Sequence, residues 1–179
     1  MIEIVEAQVK ARVGEYIYAV DDENMEEVVA KLLKDNCLTV TCAESCTGGM
    51  LASRLTSISG SSMYIKGSIV TYSNEAKMKF LDVDKEILDT KGAVSPEVAK
   101  QMAEGVRKAV GSDIGVGITG IAGPTGGTDK KPVGLVYIAV AGKDNTVVKE
   151  NIFSGDRARV RYRSTQQALE MIRQYIKNK

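Results

Sequence analysis

Two neighbouring side chains, Ser45 and Cys46, carry the groups best suited to nucleophilic chemistry in this chain. They lie in the stretch Thr41–Gly49, which closes a short apolar strand and opens a helix. Such a turn exposes backbone N–H groups at the positive end of a helix, where an anion or a developing negative charge is stabilised. The turn can therefore carry a nucleophile. The alternative is that Thr47 or Ser45 only caps the helix. The turn residues predicted to contact substrate are Thr47, Gly48 and Gly49.

The chain contains no histidine, and this absence restricts the chemistry more than any other property of the sequence. It excludes Ser-His-Asp and Cys-His catalysis and histidine-ligated zinc. Three cysteines are too few for a four-thiolate site, and no carboxylate cluster has the spacing of a metal site. We therefore expect no metal and no cofactor. Any base that activates a nucleophile must be a lysine, a tyrosine or a carboxylate.

Lys77 is the candidate base. The segment from Tyr72 to Lys77 follows a predicted strand, and Asn74 is a good helix N-cap, which places Lys77 in the first turn of a helix. The positive end of the helix dipole disfavours the charged form of a lysine there. A lysine that serves as a base near neutral pH needs a pKa of roughly 7–8, so burial or another cation must add to the dipole. The alternative is an ordinary lysine whose side chain reaches solvent.

A glycine-rich loop follows the predicted strand that ends at Thr119. The run Gly115–Gly120 matches the G-x-G-x-x-G dinucleotide pattern, but its first two glycines lie inside the strand and Pro124 prevents the required helix. A loop with many glycines lets backbone N–H groups approach a ligand closely, typically a phosphate. The alternative is a flexible surface connection. The predicted substrate-binding residues of this strand end and loop are Thr119, Gly120, Gly123, Gly126, Gly127 and Thr128.

Arginines crowd the predicted start of the last helix, where a cation meets the positive end of the dipole. Arg157 and Arg159 are therefore candidates for binding an anionic ligand. Solvated arginines on an exposed face are the alternative.

Apolar periodicity predicts an α/β fold, a three-layer α/β/α sandwich with a mixed sheet of about five strands. Residues 1–23 form a predicted N-terminal arm, with a helix over 1–13 and a short strand over 16–20 whose apolar residues we expect to pack. Residues 24–179 form the domain. The Ser45 turn, the Tyr72–Lys77 corner and the glycine-rich loop all follow strand ends, where open α/β sheets bind ligands.

Composition excludes several functional classes. The net charge of +1, with lysine and arginine spread throughout, gives no sign of direct nucleic-acid binding. No apolar run is long enough to span a membrane, and no signal peptide is recognisable. An odd number of cysteines suits a reducing compartment, so we expect a cytoplasmic protein.

The ordered motifs resemble the C-terminal domain of the competence/damage-inducible CinA family, over about residues 24–175. They are Ala43–Gly49, Val70–Lys77, Gly92–Ser95, Gly120–Thr128, Lys131–Gly134 and Phe153–Arg157. The resemblance implies an anticodon-binding-like sandwich, often dimeric, that hydrolyses the carboxamide of nicotinamide mononucleotide (NMN). It also implies a serine–lysine pair, which maps onto Ser45 and Lys77 with Tyr72 beside them. The arm resembles the segment that follows the larger CinA N-terminal domain.

Two alternatives stay open at this point. One keeps the enzyme but makes Cys46 the nucleophile. The other is a non-catalytic nucleotide-binding or interaction module linked to competence or DNA damage.

Overall fold

The computed structural model describes residues 2–178, with a central five-stranded sheet in the order β2-β1-β3-β4-β5. Met1 and Lys179, which the predicted arm and domain include, lie outside the described residues. The strands are β1 (Val40–Glu44), β2 (Ile65–Val70), β3 (Ile114–Gly120), β4 (Leu135–Ala141) and β5 (Thr146–Ile152). The helices are α1 (Ile2–Val13), α2 (Met25–Asp35), α3 (Met50–Thr56), α4 (Asn74–Leu81), α5 (Lys85–Lys91), α6 (Pro96–Val110) and α7 (Arg157–Lys177).

The sheet is mixed, as predicted. β1 pairs in parallel with both β2 and β3, whereas β4 is antiparallel to β3 and β5. The β4–β5 hairpin turns at residues 142–145, because Gly142 and Asn145 close the turn with a hydrogen bond. The carboxyl ends of β1, β2 and β3 therefore lie at one edge of the sheet, and the predicted site residues other than Arg157 and Arg159 lie at or after these ends.

Helices cover both faces of the sheet. On one face α2, α3 and α7 share a core with apolar side chains of β1, β3 and β4. On the other face α4, α5 and α6 pack together against Ala43 of β1 and Ile69 of β2. The predicted three-layer α/β/α sandwich is confirmed. Within residues 2–178, no helix combines the length and the apolar character needed to cross a bilayer.

The glycines of β3 explain why this strand resembles a dinucleotide fingerprint. Gly115 and Gly117 lie inside the strand, where α6 crosses it so closely that a Cβ atom would collide with backbone atoms of Ala103 and Ala99. These glycines therefore serve helix–strand packing, and they lie inside the strand as predicted.

Several local predictions were wrong. Residues 16–20 do not form a strand; a short 3₁₀ helix over Gly14–Tyr16 continues into irregular backbone. The apolar residues of α1 do not pack, since Ile4 and Val9 are 65% and 45% exposed.

Candidate active site

The Nζ atom of Lys77 lies 3.2 Å from the Oγ atom of Ser45, within hydrogen-bond distance. Ser45 directly follows β1, and Lys77 lies in the first half of α4, which follows β2. Because β1 and β2 are parallel neighbours, their carboxyl ends bring the two side chains together. The structure therefore places the predicted nucleophile against the predicted base.

Lys77 is almost fully buried, with 1% of its surface exposed. Its ammonium nitrogen donates to the carbonyl oxygen of Thr71 at 2.8 Å, and no carboxylate within residues 2–178 forms an ion pair with it. Burial lowers the pKa of Lys77, because a desolvated ammonium has lost the water that stabilised its charge. The geometry thus suits a lysine that acts in its neutral form.

Burial, which the sequence argument required beside the helix dipole, is the main cause of the lowered pKa of Lys77, and Lys77 lies one position farther into α4 than predicted. Ser73 rather than Asn74 caps α4, and the Ser73 hydroxyl accepts from the N–H of Ala76. Lys77 is consequently the fourth helical residue, and its own N–H already donates to the carbonyl of Ser73. Asn74, predicted to bind substrate, is exposed and does not line the cleft.

The turn after Ser45 is closed by internal hydrogen bonds. Gly48 N–H donates to the Ser45 carbonyl, and Gly49 N–H donates to the buried carboxylate of Glu44. Glu44 also accepts from the N–H groups of Leu51 and Ala52. The N–H groups of Gly48 and Gly49, which the sequence offered to a ligand, are therefore occupied, and neither glycine lines the cleft.

Thr47 is fully buried, and its side-chain oxygen has no hydrogen-bond partner within the described part of the chain. Its carbonyl accepts two hydrogen bonds from the Arg161 guanidinium, at 2.7 and 3.3 Å. Arg161 reaches the turn from α7 and braces it. The sequence showed Arg161 only as one of several arginines at the start of that helix.

Cys46 lies beside Ser45 but is poorly suited to act as a nucleophile. Its side chain is buried, and burial, with a smaller contribution from the Glu44 charge, raises the pKa of the Cys46 thiol to about 12. The thiolate is the reactive form of cysteine, and it is scarce at neutral pH when the pKa is this high. The structure favours the hydroxyl of Ser45 over the thiol of Cys46.

An open cleft of about 290 Å³ lies directly over Ser45 and Lys77. Residues from five segments of the chain line it, and eight of them were predicted. These eight are Ser45, Tyr72, Lys77, Thr119, Gly120, Gly123, Gly126 and Arg157. The cleft is also lined by Cys46 and by five residues that the sequence did not single out: Ala93, Val94, Ile121, Ala122 and Thr125.

The predicted residues that do not line the cleft fall into two groups. Thr47, Gly48, Gly49 and Asn74 lie beside it in the turn and in α4, while Gly127, Thr128 and Arg159 lie farther along the glycine-rich loop and α7. Thr128 instead closes a tight turn with Lys131, through hydrogen bonds in both directions. The N–H of Arg159 donates to the capping carboxylate of Asp156.

Ala93 and Val94 form part of the cleft wall. A hydrogen bond from the Thr119 hydroxyl to the Ala93 carbonyl, at 2.7 Å, holds this segment against the end of β3. Lys131 fixes the same wall, because its ammonium donates to the carbonyls of Lys91 and Val94, each at 2.6 Å. The sequence signal for this wall was the short motif that ends at Ser95, the N-cap of α6. The glycine-rich loop is thereby tied to the segment between α5 and α6.

Arg157 bridges two walls of the cleft. Its guanidinium donates to the Gly123 carbonyl at 2.9 Å and to the Tyr72 hydroxyl at 3.0 Å. The Tyr72 hydroxyl thus faces Arg157, and no hydrogen bond joins it to Lys77 within the described residues. The resemblance implied a tyrosine beside Ser45 and Lys77. Tyr72 lines the same cleft as this pair, and its hydroxyl holds the Arg157 guanidinium at the mouth of the cleft.

No metal-binding cluster of three cysteine or carboxylate side chains occurs within residues 2–178. A second, smaller cleft of about 190 Å³ lies between the β4–β5 turn and the end of α7. Its lining residues include no serine, threonine or cysteine, so the cleft over Ser45 is the stronger candidate for chemistry.

The fold and this pair define the class of protein: an open α/β domain with a serine–lysine pair at the carboxyl ends of its parallel strands. The chain belongs to the CinA C-terminal domain family, whose profile matches residues 22–176. It is 52% identical over 176 residues to a competence-damage inducible protein of Thermoanaerobacter sp. (strain X514). That match covers 98% of this chain but 43% of the relative, so the chain spans less than half the length of such curated relatives.

Solved structures of the family agree with the fold. A competence/damage inducible protein, CihA, from Agrobacterium tumefaciens is 40% identical with a TM-score of 0.80, covering 86% of this chain and 96% of that one. A CinA superfamily protein from Klebsiella pneumoniae 700603 is 32% identical with a TM-score of 0.83, and the match covers 88% of this chain and 100% of that one. The mixed five-stranded sheet is therefore the fold of this family.

Proposed function

We propose that the chain is an amidohydrolase that converts NMN to nicotinic acid mononucleotide and ammonia. One observation carries the proposal: the buried Lys77 amine lies 3.2 Å from the Ser45 hydroxyl without a carboxylate partner in the described part of the chain. A serine nucleophile needs a base, and the chain has no histidine. The resemblance of the surrounding motifs supplies the substrate.

In the proposed mechanism, neutral Lys77 takes the proton of Ser45 as Ser45 Oγ attacks the carboxamide carbon. The tetrahedral intermediate collapses when protonated Lys77 gives its proton to the amide nitrogen, so that ammonia leaves and an ester to Ser45 remains. A water molecule, deprotonated by Lys77, then attacks the carbonyl carbon of this ester. The bond to Ser45 Oγ breaks, protonated Lys77 returns the proton to Ser45, and nicotinic acid mononucleotide is released. The reaction needs no metal and no organic cofactor.

The negative charge of the intermediate needs a donor beside Ser45. The N–H of the residue after a nucleophile commonly supplies one donor of an oxyanion hole. Here that residue is Cys46, which lines the cleft and whose N–H donates to no carbonyl or side-chain oxygen within residues 2–178. We therefore assign the oxyanion to the Cys46 N–H rather than to Gly48 or Gly49, whose N–H groups are occupied.

The phosphate of NMN then binds on the opposite wall. Arg157 supplies a guanidinium at the cleft mouth, and Gly123, Thr125 and Gly126 supply the backbone of the adjacent loop. Arginine recognises phosphate through two parallel hydrogen bonds, so phosphate can replace the present Arg157 partners. Tyr72 holds Arg157 in place until substrate binds.

Ammonia release from NMN tests this function directly. Wild type and Ser45→Ala are compared, with Ser59→Ala as a matched control because Ser59 is exposed and remote from the cleft. We expect turnover by wild type and Ser59→Ala only. Binding of NMN without ammonia release from wild type would instead identify a non-catalytic nucleotide-binding module.

We also propose that the protein is a cytoplasmic homodimer without direct nucleic-acid partners, on the basis of the resemblance and the near-neutral charge. Light scattering during gel filtration measures the oligomeric state.

A further inference from the structure

The carboxylate of Glu44, the residue before Ser45, is fully buried at the end of β1. Its two oxygens accept from three backbone N–H groups: Gly49 at 3.0 Å, Leu51 at 3.1 Å and Ala52 at 2.9 Å. Within the described residues no lysine or arginine forms an ion pair with it. A buried carboxylate without a paired cation is rare in proteins, so other interactions must compensate the burial of Glu44.

Glu44 replaces the ordinary cap of α3. The N-cap position is Gly49, which has a φ of +90° and no side chain to offer. Other helices of this fold are capped by their own N-cap side chains, as Ser95 caps α6 and Asp156 caps α7. In α3 the cap comes from the strand instead, and the partial positive charge of the helix start compensates the buried carboxylate. The turn that carries Ser45 is thereby tied at both ends.

The same residue also reaches the base. The Glu44 carbonyl accepts from the N–H of Thr71 at 2.9 Å, and the Thr71 carbonyl accepts from Lys77 Nζ at 2.8 Å. The main chain of Glu44 therefore connects the serine half and the lysine half of the pair through one backbone hydrogen bond to Thr71 and one hydrogen bond from the Lys77 side chain to Thr71. A displaced Glu44 changes the separation between Ser45 and Lys77.

The charge of Glu44 acts on the neighbouring thiol. Burial is the main cause of the raised pKa of Cys46, and the Glu44 carboxylate raises it further. A negative charge beside a thiol disfavours the thiolate. Glu44 therefore helps to keep Cys46 protonated next to the hydroxyl that reacts.

We propose that Glu44 is a positioning residue that caps α3 from the strand and fixes the Ser45–Lys77 geometry. The inference rests on the proposed role of Ser45 as nucleophile, not on the identity of the substrate. It explains why an acidic side chain precedes the nucleophile although it does not line the cleft.

Two variants distinguish the effect of the length of the Glu44 side chain from the effect of its charge. Glu44→Gln keeps the length but loses the charge, whereas Glu44→Asp keeps the charge but is one methylene too short for all three N–H groups. Glu27→Gln is the matched control, because Glu27 caps the start of α2 through the Asn24 N–H, away from the cleft. Circular dichroism selects a temperature at which each variant is folded.

Two readouts are compared: labelling of Ser45 by a fluorophosphonate, located by mass spectrometry, and kcat and KM for ammonia release from NMN. We expect both Glu44 variants to lower the labelling rate and kcat by about tenfold or more, with KM within about twofold of wild type.

The outcomes separate the two proposals. Labelling of wild-type Ser45 without ammonia release overturns the proposed function and leaves the role of Glu44 testable through labelling. A folded Glu44→Asp variant that is labelled at the wild-type rate overturns the role of Glu44, and this variant alone decides if Glu44→Gln does not fold. A wild-type chain that is neither labelled nor active overturns both proposals.

Discussion

Lys77 Nζ donates to the Thr71 carbonyl at 2.8 Å while it lies 3.2 Å from Ser45 Oγ. A neutral amine has one lone pair and two N–H donors. When one N–H is held by the Thr71 carbonyl, the amine is oriented and its lone pair can face the hydroxyl of Ser45. The carbonyl thus orients the base in the way that a carboxylate orients a catalytic histidine.

Lys77→Arg should abolish ammonia release and Ser45 labelling, because arginine stays protonated and cannot accept the Ser45 proton. We expect a loss of at least about 10³-fold in kcat/KM, as for other enzymes that lose the base of a nucleophilic pair. Lys79→Arg is the control on the same helix, since Lys79 is exposed. An active Lys77→Arg enzyme would falsify the assignment of Lys77 as the base.

The rate should rise with pH. Burial lowers the pKa of Lys77 from its ordinary value of 10.5, and only the neutral amine can accept a proton from Ser45. A plot of log kcat/KM should therefore climb with a slope of about one between about pH 6 and the lowered pKa and then level off. A flat profile over about pH 6–9 contradicts a lysine base.

The contribution of Lys77 to the free energy of unfolding should also rise with pH. The folded state disfavours the ammonium of Lys77, so it binds fewer protons than the unfolded chain between the lowered pKa and 10.5. The free energy of unfolding of wild type, relative to Lys77→Met, should rise with pH across that interval. Urea unfolding of both proteins at several pH values measures the difference, and a constant difference would show that burial does not perturb Lys77.

Cys46→Ala should keep most of the activity, within about threefold of wild type, because a thiol with a pKa of about 12 contributes little thiolate at neutral pH. Iodoacetamide should modify the exposed Cys37 well before Cys46 in the native protein. An inactive Cys46→Ala together with an active Ser45→Ala would reverse the assignment of the nucleophile.

Arg157→Gln should raise KM for NMN by about 10- to 100-fold, because a charged hydrogen bond to phosphate is worth about 1.5–3 kcal/mol. Nicotinamide riboside lacks the phosphate, so its much weaker turnover should change little. Arg159→Gln is the matched control on the same helix, since Arg159 does not line the cleft. Equal effects on both substrates would argue against phosphate binding by Arg157.

Lys131→Met should loosen the cleft wall without unfolding the protein. It removes the two hydrogen bonds to the carbonyls of Lys91 and Val94, and Val94 lines the cleft. We expect KM for NMN to rise by about three- to tenfold and the free energy of unfolding to fall by about 1–2 kcal/mol. The neighbouring and exposed Lys130, changed to Met, provides the control.

The sequence predicted the layered fold and the reactive pair for physical reasons. Apolar periodicity reports the buried faces of α6 and α7, and the lack of histidine leaves lysine as the main candidate base. Glu44 was missed because its role depends on where the N–H groups of α3 point after folding. The cap of α4 was misassigned because Ser73 and Asn74 are both good caps and only the backbone geometry decides between them.

The glycines of β3 show how a packing requirement can imitate a binding motif. Helix α6 passes so near to Gly115 and Gly117 that the strand tolerates no side chain there. This close contact accounts for a sequence that matches the dinucleotide fingerprint, although its first two glycines lie inside the strand and no helix stands between β3 and β4 in the described part of the chain. A search by pattern alone places such a domain among the oxidoreductases, and the position of the glycines relative to the strand end is what separates the two classes.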